Sequence, residues 1–108
     1  MIVKQGDLFP DVETTVKDEN GGVVDITGVS QILFSMRKSR DPSSAPINGA
    51  AGVLVNGPQG QIAFRWSAGQ TDVPGTYEGE FKLTPAAGDA FRVPTSGYIT
   101  VIIEPKVG

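Results

Sequence analysis

Cysteine and histidine are both missing from the 108 residues. Without cysteine there is no disulfide scaffold, no thiolate metal centre and no cysteine nucleophile. Without histidine the chain lacks the side chain used most often as a general base, a zinc ligand or a switch near neutral pH. Long apolar runs are absent too: nothing approaches the roughly 18 consecutive residues that a membrane helix needs. The opening Met1-Ile2-Val3-Lys4-Gln5-Gly6-Asp7 has no charged segment followed by an apolar run, so the expectation is a soluble chain made in the cytoplasm. A glycine-rich phosphate loop, a Gly-x-Ser-x-Gly elbow and a glycosylation sequon are all lacking. Cationic excess is lacking as well. The net charge of −3 repels phosphate, which argues against nucleic acid as a main partner. The reading is of a non-enzymatic protein with no cofactor and no metal.

What is present is turn chemistry and alternation. Fourteen glycines and eight prolines are spread along the chain and read as many short turns. A strand is expected within Leu8 to Val16, closed by the Asn-Gly turn signal of Asp18-Glu19-Asn20-Gly21-Gly22. A short Val23-Val24 strand follows, and after it a corner in which Ile26 points inward. Ile32, Phe34 and Met36 alternate with Gln31, Leu33, Ser35 and Arg37 along a strand from about Val29 to Lys38. The Ser39 to Pro46 connection cannot continue a ladder and is expected to be the most mobile loop. Ile47 to Val55 should pair with Ile62 to Trp66 as a hairpin. Tyr77 to Thr84, Ala90 to Val93 and Tyr98 to Glu104 complete the set, the last β-branched enough to suggest burial on much of both faces. Only Pro85 to Ala90 offers a helical turn, and Gly88 interrupts it. The sum is an all-β chain: an immunoglobulin-like antiparallel β-sandwich of about seven to nine short strands, forming one domain over residues 1–108.

The stretch from Trp66 to Phe81 is the most informative. Ile62, Phe64 and Trp66 alternate with Gln61, Ala63 and Arg65, then a connector containing Gly69, Asp72, Pro74 and Gly75 turns the chain. Tyr77, Gly79 and Phe81 then alternate with Glu78, Glu80 and Lys82. In antibody-type domains the corresponding corner reads Asp-x-Gly/Ala-x-Tyr-x-Cys, and the tyrosine hydroxyl bonds back to the corner backbone. Here Asp72, Gly75 and Tyr77 are kept, with one extra residue before Gly75, glycine at 79 in the cysteine position, and Trp66 on the strand before the corner.

Candidate chemistry is sparse. Glu78 and Glu80, two apart on one strand face, have a spacing found in glycosidases, but they share that face with Lys82 and Thr84 and read as solvent-facing. Asp18, Glu19 and Asn20 lack the oxygen spacing of a calcium loop and read as a hairpin turn. Trp66 and Tyr77 are able to stack on a sugar, yet both fall at inward positions and read as core. Arg37, Lys38 and Arg40 form a small cationic cluster, and Leu33 is the one apolar residue on the outer side of its strand. Both are candidate contact points.

An ordered set of short motifs spans nearly the whole chain. Gln5-Gly6-Asp7 opens it. Val24-Asp25-Ile26-Thr27-Gly28 precedes a strand ending Met36-Arg37. Phe64-Arg65-Trp66-x-Ala68-Gly69-x-Thr71-Asp72-x-Pro74-Gly75-x-Tyr77-x-Gly79-x-Phe81 forms the corner, and Pro94-x-x-Gly97-Tyr98 closes the series. Together they resemble the tailed-bacteriophage domain typified by the N-terminal part of baseplate upper proteins. The resemblance implies a virion structural module of the tail, baseplate or neck, made in the bacterial host cytoplasm. Its partners would be other virion proteins, in several copies within a symmetric assembly, with no nucleic acid and no membrane. A capsid decoration protein of the same fold, and an adhesion module binding host glycan, are the alternatives. Longer members carry a receptor-binding or trimerising region after this domain, an activity not expected of these residues. The expected interface uses edge strands, the Ser39 to Pro46 loop, Leu33, Arg37, Lys38 and Arg40. It also uses Ile2 and Val3 in an N-terminal segment, Met1 to Phe9, able to add a strand to a partner. Trp66, Asp72, Gly75, Tyr77 and Gly79 would define the fold at the corner.

Overall fold

Buried and exposed side chains alternate along strand after strand, and a sheet with one dry face must cover it with another. In a computed structural model, which describes residues 1–41 and 43–108, no described residue is helical. The described residues form nine strands: β1 (Ile2–Lys4), β2 (Val12–Thr15), β3 (Gln31–Lys38), β4 (Ile47–Ala51), β5 (Val53–Asn56), β6 (Gln61–Phe64), β7 (Gly75–Thr84), β8 (Phe91–Val93) and β9 (Ile99–Glu104). Within the Ser39 to Pro46 connection, Pro42 lies outside the described residues.

The larger sheet runs β1-β9-β7-β3-β4, with β8 beside the far half of β7; the smaller runs β2-β6-β5. All pairs are antiparallel except β1 with β9, which run parallel with Ile2 opposite Ile102. The order β2-β6-β5 matches strands B-E-D of an immunoglobulin domain, and β9-β7-β3-β4 matches G-F-C-C′. The chain is an immunoglobulin-like β-sandwich.

Aromatic packing joins the two sheets. Phe34 of β3 is fully buried and stacks on Phe64 of β6 with ring centroids 4.7 Å apart. Trp66 stands edge-on to both rings, at 6.5 and 5.6 Å, and Phe81 lies 4.9 Å from Phe34. Offset and edge-on contacts of this kind add to the burial of large apolar area. Gly79 makes the arrangement possible: a Cβ there would lie 2.8 Å from Phe34 Cζ and 3.0 Å from Cε1. Where antibody-type domains place a cysteine, this chain makes room for a phenylalanine ring.

Some sequence expectations are corrected. The strand expected from Ile47 to Val55 splits at Gly52, so that β4 joins the large sheet and β5 the small one. The Gly52 N–H donates to the Ile32 carbonyl at 2.8 Å, and a Cβ at Gly52 would sit 2.7 Å from Ile32 Cγ2 and 3.1 Å from the Ala63 carbonyl. Only glycine lets the chain cross between sheets there. Val23 forms a single bridge to Lys17 in place of a strand. β9 is buried on one face, through Val101 and Ile103, while Thr100 is exposed. Pro85 to Ala90 contains no helical turn.

Candidate docking surfaces

The corner before β7 is held by polar groups that have few alternatives once buried. The Tyr77 hydroxyl donates to the Val73 carbonyl at 2.7 Å, which is a tyrosine corner. Burial pushes the Tyr77 phenol above the usual tyrosine value. Gly75 opens β7 opposite Ile103. Trp66 is buried, and its indole N–H donates to the Pro10 carbonyl at 2.8 Å. Thr71, fully buried, donates its hydroxyl to the Asp7 carbonyl at 2.9 Å. The Gly6 N–H reaches the Thr71 carbonyl at 3.0 Å, and the Gln5 side-chain amide reaches the Asp72 carbonyl at 2.9 Å.

These bonds strap residues 5–10 across the corner and leave Leu8 and Phe9 between two fixed points. Phe9 is 78% exposed and Leu8 49%; Val73, in the same corner, is 58% exposed. Fully burying an exposed side chain of this size is worth on the order of 1.5–3 kcal/mol, so Phe9 has the most to gain from a partner and the half-exposed Leu8 and Val73 about half as much. Sequence reasoning placed Leu8 and Phe9 among strand residues. The signal that separates them is Pro10, which cannot donate to a ladder.

The outer face of the large sheet is different in kind. Glu78 and Glu80 do face outward as expected, and cations meet them: Arg37 Nε lies 3.6 Å from Glu78 and Arg92 Nε 3.0 Å from Glu80. At the sheet edge Lys4 meets Glu104 at 3.4 Å. Arg37 also donates to the Tyr98 hydroxyl at 3.0 Å and lies over its ring, 5.1 Å from the centroid. Ser35, Arg37, Asn48, Glu78, Glu80 and Tyr98 line a groove of about 250 Å³. Tyr98 is half-exposed.

The candidate interface residues fall into four places. Ile2, Leu33 and Arg37 share this outer face, Ile2 exposed and the other two half-buried. Val3 is a correction: it points inward and is 1% exposed, part of the core. The N-terminal strand is likewise engaged within the chain, because β1 pairs with β9 and the Met1 ammonium donates to the Thr100 carbonyl at 2.8 Å. The cationic cluster is divided. Arg37 faces outward, whereas Lys38 sits opposite inward-facing Tyr77 with its stem near Gly75. Arg40 is exposed in the following turn at φ 63°. That turn folds back on β3, with Lys38 N–H donating to Ser44 O at 2.7 Å and Asp41 N–H to Lys38 O at 3.0 Å.

Two acidic turns have structural roles. Asp18 accepts from the Asn20 and Gly22 N–H groups at 2.9 and 2.8 Å, as the hairpin reading expected. Asp25 accepts from the Thr27 hydroxyl and N–H, and these bonds hold its carboxyl below the usual aspartate value. No group of three or more Asp and Glu side chains gathers as a metal site among the described residues. Compared with known proteins, the chain matches no family model, no curated protein and no solved structure.

Proposed function

We propose that the chain is a non-enzymatic structural protein of a bacteriophage virion, a small sandwich that docks onto neighbours in the tail, baseplate or neck. The observation that carries the docking part is the fixed display of Leu8 and Phe9. Two large apolar side chains are held out in solvent by hydrogen bonds on both sides of them. Exposed apolar groups on an ordered support are the usual basis of an assembly contact. The phage assignment rests on the ordered motifs from Gln5 to Tyr98. Mass spectrometry of purified virions, separated into heads and tails, is expected to find the chain with the tails. Finding it with heads would favour the decoration reading, and absence from both would sink the proposal.

A second reading has one specific observation in its favour. Tyr98 is half-exposed in a groove that also holds carboxylates, an amide and a guanidinium, a set suited to stacking on a sugar and bonding its hydroxyls. Glycan-array binding that is lost in Tyr98→Ala would establish it; no binding to any glycan would remove it.

A further inference from the structure

The small sheet ends on β2 with no strand beyond it among the described residues. β2 pairs with β6 in antiparallel register, Val12 with Phe64 through Thr15 with Gln61. Just past β2, the Val16 N–H donates toward β6, to Gly60 O at 2.7 Å. Backbone groups alternate sides along such a ladder, so the N–H and C=O of Glu13 and Thr15 point away from β6, to the open edge. In the immunoglobulin arrangement strand A lies beside B at this edge. Here the first strand of the chain lies beside β9 in the other sheet.

Beside this edge the two sheets part. A cleft of about 580 Å³ opens between β2 and β8, lined by Thr14, Val16, Val24, Phe91, Val93 and Pro94 among others. Val24 and Phe91 pack on the core and stay half-buried. A strand laid along β2 would direct every second side chain into this cleft.

We infer that the β2 edge is a strand-addition site for an extended segment of a partner protein, apolar at alternate positions and basic at its ends. The apolar alternation follows from the cleft. The basic ends follow from the charge around it: Asp11, Glu13, Asp18 and Glu19 border the edge against Lys17, and Arg65 reaches Asp11 only at 3.7 Å. A second copy is a poor occupant, since its β2 brings the same acids, its β1 is already paired, and its open β5 edge, Val-Leu-Val-Asn, carries no cation to meet them. Main-chain bonds supply the affinity in such pairings and the side-chain pockets supply the selection. The inference rests on the docking reading for the existence of a partner.

The test uses the synthetic peptide Lys-Thr-Val-Thr-Val-Thr-Val-Lys, added in millimolar excess to isotope-labelled chain and followed by amide NMR and hydrogen exchange. Resonances of Glu13, Thr15, Phe91 and Val93 are expected to move, and exchange at Glu13 and Thr15 to slow by about tenfold or more. Leu54 and Val55 on β5 should be unaffected. Glu13→Pro removes an outward donor that the β6 ladder does not use and should abolish binding. Glu13→Lys with Glu19→Lys changes only exposed side chains and should weaken binding severalfold, so the inference stays testable if the proline variant fails to fold. No change at β2 in the native chain, protection at β5 instead, or a dimer formed through β2 in sedimentation would each overturn it. Those outcomes with the chain present in virions would sink strand addition alone. Absence from virions with peptide bound at β2 would sink only the virion assignment.

Discussion

The two sheets of this sandwich share one core but finish their outer surfaces in opposite ways. On the large sheet, carboxylates at Glu78, Glu80 and Glu104 each meet a cation on a neighbouring strand, and the N-terminus closes on Thr100. The small sheet has three strands and two edges. One edge is acidic β2; the other is β5, where Leu54 and Val55 are exposed and carry no charge. Natural sheets blunt their edges with charge, twist or cover. The chain thus separates an outer face whose charges are paired within the large sheet from the two strand edges of the small one.

The separation predicts where damage is felt. The largest effect is expected at Phe34, the ring that touches Phe64 and Trp66 on one side and Phe81 on the other. Phe34→Ala should cost about 3–5 kcal/mol in chemical denaturation. A loss under about 1 kcal/mol would mean that the two sheets do not depend on a common wall. Next comes Gly79→Ala, whose new methyl falls 2.8 Å from the Phe34 ring; overpacking of this kind costs about 1–3 kcal/mol. Combining Gly79→Ala with Phe34→Leu should recover part of that loss, because the clash is with the ring. Strict additivity would show that the strain lies elsewhere.

A smaller effect separates the corner from the core. Tyr77→Phe keeps the ring and removes only the bond to Val73, an expected loss of about 1 kcal/mol. Its pH dependence is the sharper measurement. Burial raises the Tyr77 pKa in the folded state, so its contribution is complete below the unfolded value of about 10. It is lost as pH rises through the folded value. The native chain should therefore lose stability in alkali, and Tyr77→Phe should lose less of it. An unchanged profile in Tyr77→Phe would remove the corner from the account.

Much of this was legible from period and turn chemistry alone. The alternation around Phe34, Trp66 and Tyr77 identified inward faces correctly because a two-residue period admits only one register against a buried core. What was not legible has a common cause. Val3 and Ile2 read as equivalent apolar residues until β1 is placed beside β9, and only pairing decides which of them points inward. Arg37, Lys38 and Arg40 are adjacent in sequence, but strand alternation and a turn send them to three surroundings. Gly52 reads as one more small residue in a strand, and the close approach of Ile32 that requires it comes from a part of the chain twenty residues earlier. Leu8 and Phe9 are exposed by bonds made at Gly6, Asp7 and Pro10, not by their own pattern.

The smallest expected effect bears most directly on the contrast between the sheets. Glu78→Gln and Glu80→Gln each break a cross-strand ion pair whose cation is about half-exposed. Such pairs are worth about 0–1 kcal/mol and fade with salt. Each variant should thus shift the denaturation midpoint slightly at low ionic strength and hardly at all at high. If both losses persist undiminished in high salt, the carboxylates act through packing around Tyr98 and Ser35 and not through charge. The groove they line would then be a rigid, preformed surface. A loss that salt erases leaves the large sheet's face held by weak, exchangeable pairs, which an incoming ligand or neighbour can replace at little cost.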